Sequence, residues 1–104
     1  MAAEPLQPNR AVKHEKSAIY ERIAVDIAKR IANEELAEGI KLSGRTILSG
    51  EYGVSPETIR RSFAILEEQG VVAVMQNSGV VVKSRLKAKA FMEAYDKHDE
   101  SKHL

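Results

Sequence analysis

One stretch constrains the fold more than any other: residues 54–70, Val-Ser-Pro-Glu-Thr-Ile-Arg-Arg-Ser-Phe-Ala-Ile-Leu-Glu-Glu-Gln-Gly. It carries a helix start, an apolar stripe and a helix stop. Ser55 has the side chain of an N-cap, whose hydroxyl accepts a hydrogen bond from an orphan backbone N–H of the first turn. Pro56 comes next, at the first helical position, where a missing N–H is harmless. Gly70 supplies the positive φ at which many helices end. Ile59, Phe63 and Leu66 recur at intervals of four and three, so they share one buried face. Arg60, Arg61, Ala64 and Glu67 point elsewhere. A short helix of this kind, preceded by another short helix and a turn, has the layout of a DNA-recognition helix.

The rest of the chain supplies the surroundings such a helix needs. Residues 1–16 hold two prolines, several charges and no apolar periodicity, and read as a flexible arm. Ser17 opens a helix whose stripe is Ile19, Ile23, Ile27 and Ile31, ending near Glu34 or Glu35. Ile40 to Leu42 is β-like. Arg45 to Tyr52 is a short second helix, with Ile47 and Leu48 expected inward and Gly53 after it. Residues 56–69 form the third helix. Val71 to Met75 and Val80 to Lys83 read as strands joined by Gln76-Asn77-Ser78-Gly79, a β-hairpin. From Arg85 the pattern is helical again, with Leu86, Ala90, Phe91, Ala94 and Tyr95 at helical spacing and fraying expected from about Asp99. The fold class is therefore mainly α with a small β-hairpin: a winged helix-turn-helix over residues 17–83, then at 84–104 a linking or dimerisation helix.

Composition sets outer limits. The chain has 104 residues, enough for one domain with a modest core. No apolar run approaches the roughly 18 residues that cross a bilayer, and the N-terminus has no secretory h-region, which argues for the cytoplasm and against a membrane partner. Cysteine is absent, which excludes disulfides and thiolate metal sites. The net charge of +1 is uninformative, but its distribution is not: residues 54–92 carry six basic and three acidic groups, an excess of +3. That excess falls on the candidate reading helix and the segment after it.

The chain resembles the N-terminal domain of the GntR family of bacterial transcription regulators. The residues that carry the likeness are Tyr20, Ile23-Ala24, Ile27 and Ile31; Gly39-Ile40-Lys41-Leu42; Leu48-Ser49; Tyr52-Gly53-Val54-Ser55; Thr58 to Phe63; Leu66-Glu67; Gly70-Val71-Val72; and Ser78-Gly79 with Val82. The family pattern has an arginine after the N-cap serine where this chain has Pro56, and Pro-Ser-Glu-Arg where it has Ser43-Gly44-Arg45-Thr46. This variant resembles a branch in which the winged domain precedes a helical dimerisation segment and a TrkA-C-type ligand domain. The resemblance implies sequence-specific binding of double-stranded operator DNA by a homodimer. Any effector ligand would be bound by a domain absent from this chain, and the chain is expected to be a fragment of a longer protein. The competing reading is a winged-helix protein-interaction module without DNA binding.

Within that frame the expected DNA-binding residues are Arg45, Thr46, Ser55, Thr58, Arg60, Arg61, Asn77, Ser78 and Gly79. Arg60 and Arg61 suit guanine edges or phosphates, or pair locally with Glu57 and Glu67. Arg45 and Thr46 open the helix that crosses the backbone. Ser55 and Thr58 lie at a helix N-terminus, which favours anions. Asn77, Ser78 and Gly79 form the wing tip, where they contact DNA or simply close the hairpin. Glu57 favours the helix dipole or accepts from cytosine N4. Lys83, Arg85, Lys87 and Lys89 form a basic flank or the solvated side of the last helix. His14, His98 and His103 lack metal-site spacing. No nucleophile–base pair or cofactor motif is present, so neither an enzyme, a cofactor nor a metal is expected.

Overall fold

A computed structural model describes residues 18–76 and 79–103. The element order is α1 (Ile19–Ala32), α2 (Arg45–Tyr52), α3 (Pro56–Glu68), β1 (Val72–Met75), β2 (Gly79–Val82) and α4 (Arg85–His103). The two strands pair antiparallel, with Val72 opposite Val82 and Met75 opposite Gly79.

The β-like stretch before α2 adds to this wing as a single bridge, Lys41 to Val81, rather than as a full strand. Three backbone bonds hold it there: Leu42 N–H to the Val80 carbonyl at 2.7 Å, Gly39 N–H to Val82 at 2.9 Å and Val82 N–H to Ile40 at 2.8 Å. Gly39, at φ 88°, turns the chain into the bridge.

The core is one cluster. Ile23, Ile27 and Ile31 of α1 meet Ile59, Phe63 and Leu66 of α3, with Leu48 of α2 and Val72, Val80 and Val82 of the wing. Ile27, Ile31, Ile59 and Leu66 are almost completely buried. Burying each such side chain contributes about 1.5–3 kcal/mol. One polar group enters this core. Ser62 is fully buried, and its hydroxyl donates to the Tyr20 carbonyl at 2.7 Å. That bond fastens the middle of α3 to the first turn of α1.

Three expectations about the elements need correction. Helix α1 ends at Ala32, because Glu34 takes a left-handed conformation at φ 70°. Ile47 is 60% exposed. Helix α2 has only two turns, and its inward face is Leu48 with Tyr52 one turn on, which rotates Ile47 outward. On α4 the face against the core is Ala88, Phe91 and Met92, while Leu86 is 77% exposed. Among the described residues no helix is long and apolar enough to cross a membrane.

Candidate nucleic-acid interface

Helix α3 begins as its sequence dictates. Ser55 is the N-cap, with Pro56 directly after it. The Ser55 hydroxyl accepts from the Thr58 N–H at 3.2 Å and lies 3.1 Å from the Thr58 hydroxyl. Both side chains thus build the helix start, whose first residues Ser55, Pro56 and Glu57 are exposed. Because α3 buries Ile59, Phe63 and Leu66, the residues on its opposite side are held in solvent. Arg60, Arg61, Ala64 and Glu67 are all exposed.

The exposed side of α3 faces a groove of about 700 Å³ between the α2 N-terminus and the wing. Three cations from three parts of the chain line it: Arg45 at the start of α2, Arg60 of α3 and Lys41 of the bridge segment. Gly79 closes the wing side, and Glu67 adds one acidic group. Thr46 is exposed beside Arg45, and its carbonyl accepts from the Ser49 hydroxyl at 2.7 Å. Asn77 and Ser78 lie outside the described residues.

The two arginines of α3 have different surroundings. Arg60 pairs side-on with Glu57: Nε to Oε1 at 2.9 Å and Nη2 to Oε2 at 2.6 Å. Arg61 turns the other way, its guanidinium 5.5 Å from the centre of the Tyr20 ring and its Nε 3.6 Å from Glu57 Oε2. The Arg60 guanidinium, with a smaller contribution from Arg61, holds the Glu57 carboxyl below the ordinary carboxylate range. The same pairing, first by hydrogen bond and then by charge, raises the Arg60 pKa. Local pairing of Arg60 with Glu57 was one of the two alternatives open from sequence. Both partners stay solvent-exposed and Arg60 still lines the groove, so the pair does not remove Arg60 from reach.

The basic flank after the wing divides. Arg85 belongs to the scaffold: its Nε donates to the Ala32 carbonyl at 2.9 Å and its Nη2 lies 3.4 Å from Glu34. Its own N–H donates to Glu38 at 2.8 Å, and Ser84 caps α4 by accepting from the Lys87 N–H at 3.0 Å. The aliphatic stem of Lys87 lies over Gly70. Lys83 and Lys89 are exposed.

Two features of the groove escaped sequence reasoning. Lys41 sits in a stretch read for its β character and its family likeness but not as a DNA contact, and it reaches Gly79 through the bridge to Val81. Its adjacency to the wing tip arises from tertiary pairing, and no local signal announces it. The Glu57–Arg60 spacing of three residues was visible in sequence, but not its two-bond geometry. Among the described residues no group of three or more His, Asp or Glu side chains is arranged to hold a metal ion.

Residues 19–82 match a family described as bacterial regulatory proteins, gntR family. A curated relative, the mannosyl-D-glycerate transport/metabolism system repressor MngR of Escherichia coli (strain K12), is 38% identical over 65 residues, covering 62% of this chain and 27% of its own length. The chain thus spans about a quarter of that relative. Among solved structures, S. agalactiae BusR in complex with its busAB-promotor DNA superposes with a TM-score of 0.72 and 36% identity, over 77% of this chain and 39% of that one. YtrA from Sulfolobus acidocaldarius, described as a GntR-family transcription factor, gives 0.62 and 35%, over 66% of this chain and 72% of that one.

Proposed function

This chain belongs to the gntR family of bacterial regulatory proteins, and from that membership we infer that it is the DNA-reading domain of a transcription regulator, not an enzyme. The observation that carries the reading is the convergence of Lys41, Arg45 and Arg60, from three separate elements, on the groove along the exposed side of α3. With three cations against the single carboxylate of Glu67, the groove is net positive and attracts phosphate before any base is read. The solved relative on promoter DNA supports the same use of the fold.

In this reading α3 enters the major groove. Arg60 meets base edges, and Arg45, Thr46 and Lys41 hold phosphates on either side. The α3 N-terminus, built by Ser55 and Thr58, faces a phosphate. The wing tip, Asn77 to Gly79, lies against the backbone or minor groove. Arg61, drawn toward Tyr20, contacts backbone rather than bases. Such phosphate contacts set register, and base contacts set specificity.

The domain acts as a homodimer on two half-sites about 34–36 Å apart, in the bacterial cytoplasm where its operator lies. Leu86, Ala90 and Ala94, spaced by fours on the outer side of α4, are exposed and suit a second copy. Any effector is bound by a segment outside these residues. The protein-interaction alternative predicts an apolar patch along the exposed side of α3; that side carries Arg60, Arg61 and Glu67 with only the small Ala64 between them, although Phe63, Val74 and Val80 also line the groove.

Titration of the 104-residue chain with a random-sequence duplex at rising salt tests the electrostatic part. The logarithm of affinity should fall linearly with the logarithm of salt, and Arg45→Ala should lower the slope by about one. No measurable duplex affinity at about 50 mM salt would favour the docking module instead.

A further inference from the structure

Resting on the DNA-reading assignment, we propose that Glu57 is a positioning residue that holds the Arg60 guanidinium with its outer fork presented to a guanine. Glu57 is anomalous on a surface meant for DNA, because a carboxylate there repels phosphate. Its place in the first turn of α3 suits the helix dipole, and its two bonds to Arg60 give it a second effect.

A guanidinium carries five N–H donors in a rigid plane. The Glu57 pair occupies the side edge, using the Nε donor and one Nη2 donor. The second Nη2 donor and both Nη1 donors are left over. The two that face along the end of the plane form a parallel fork, the arrangement that matches guanine O6 and N7. Glu57 therefore costs Arg60 none of the donors that base reading requires.

The pairing also removes freedom. An unpaired arginine on an exposed helix face samples many rotamers and neutralises whichever phosphate is near. Two bonds to Glu57, at 2.6 and 2.9 Å, restrict that sampling and offset part of the charge. Oε2 of the same carboxylate lies 3.6 Å from Arg61 Nε, and the Arg61 guanidinium lies over the Tyr20 ring. One carboxylate thus separates the two arginines, with Arg60 lining the groove and Arg61 over α1. The consequence is specificity gained at the expense of indiscriminate affinity.

The test is selection from a pool of duplexes with a randomised segment of roughly 20 base pairs, about two helical turns. The full chain is compared with Glu57→Gln, Arg60→Ala and the double variant, and random-duplex affinity and Tm are measured alongside. The parent should enrich a motif containing a guanine that depends on Arg60. Glu57→Gln should lower preference at that guanine by roughly tenfold, leave the other positions intact and tighten binding to random duplex. In the Arg60→Ala background the same change should alter no base preference, since Glu57 would act only through Arg60.

If Glu57→Gln keeps the parent motif at full depth while all affinities rise together, Glu57 merely repels phosphate and the inference fails. If every position weakens along with Tm, Glu57 only supports the helix start, and the inference fails again. A parent motif with no Arg60-dependent guanine also overturns it. A parent that enriches nothing removes the DNA reading itself.

Discussion

Lys41 lies across Gly79 so closely that a β-carbon on Gly79 would come within 2.8 Å of Lys41 Cε. The contact joins the segment before α2 to the wing tip, and Gly79 holds φ at 85°. Two obstacles therefore meet any side chain here. The clash is the cheaper one, because the end of a lysine can swing away. The left-handed backbone is costlier, at roughly 1–2 kcal/mol for a residue with a β-carbon. Gly79→Ala should destabilise the domain by about that amount. Gly79→Asn should cost less, since asparagine tolerates this region better. Chemical denaturation of both variants checks the order, and equal losses would assign the effect to the clash.

Lys41 gives a separable prediction. On the proposed interface it contacts phosphate and reads no base. Lys41→Ala should weaken binding to specific and random duplexes by similar factors and lower the salt slope by about one. Salt titrations on the two duplexes measure it. A loss confined to the specific duplex would move Lys41 from backbone to base contact.

Ser62 is the polar rivet of the core. Its hydroxyl donates to the Tyr20 carbonyl at 2.7 Å and lies 3.2 Å from the Thr58 carbonyl. Ser62→Ala keeps the volume small but deletes the donor, and should cost about 1 kcal/mol. The loss should appear in the denaturation midpoint without a change in slope. Ser62→Val should be worse, because the site is fully buried and the added methyl groups have no room.

Tyr52 clips α2 to α1. Its hydroxyl donates to Asp26 at 2.6 Å and accepts from Arg30 at 3.4 Å, while Arg30 Nε bonds Glu35 at 3.0 Å. Partial burial first, and the bond to Asp26 second, push the phenol up to about 12 from an ordinary value of 10.0. A folded-state pKa raised above the unfolded one contributes stability below about pH 10, lost as pH rises toward 12. Tyr52→Phe should remove that part of the pH dependence. Its stability difference from the parent should shrink between about pH 10 and 12. A constant difference across that window would show that the hydroxyl does not titrate with unfolding.

How far the sequence could lead differs between elements. Helix α3 was legible because cap, proline, apolar spacing and terminal glycine all agree, and it runs Pro56–Glu68 against an expected 56–69. Helix α2 was legible in extent but not in phase. Two turns give too few apolar positions to fix a face, and Tyr52 decides for Leu48 over Ile47 through its contact with α1. The candidate interface shows the same division. The exposure of Arg60 is a consequence of the burial of Ile59 and Phe63. Lys41 was hidden because a bridge between distant segments brings it to the wing. Arg85 looked like part of a basic flank until the end of α1 was in place to receive it.

If the exposed face of α3 reads base pairs through Arg60, duplex affinity must depend on that side chain and on sequence together. The deciding measurement is the affinity of the parent, Arg60→Ala and Arg60/Arg61 double-alanine chains for a selected duplex and for the same duplex scrambled. Arg60→Ala should weaken the selected duplex by about 1–3 kcal/mol, relax preference at one or two bases and change the scrambled duplex much less. Unchanged affinity for the selected duplex in both variants would contradict base reading by Arg60.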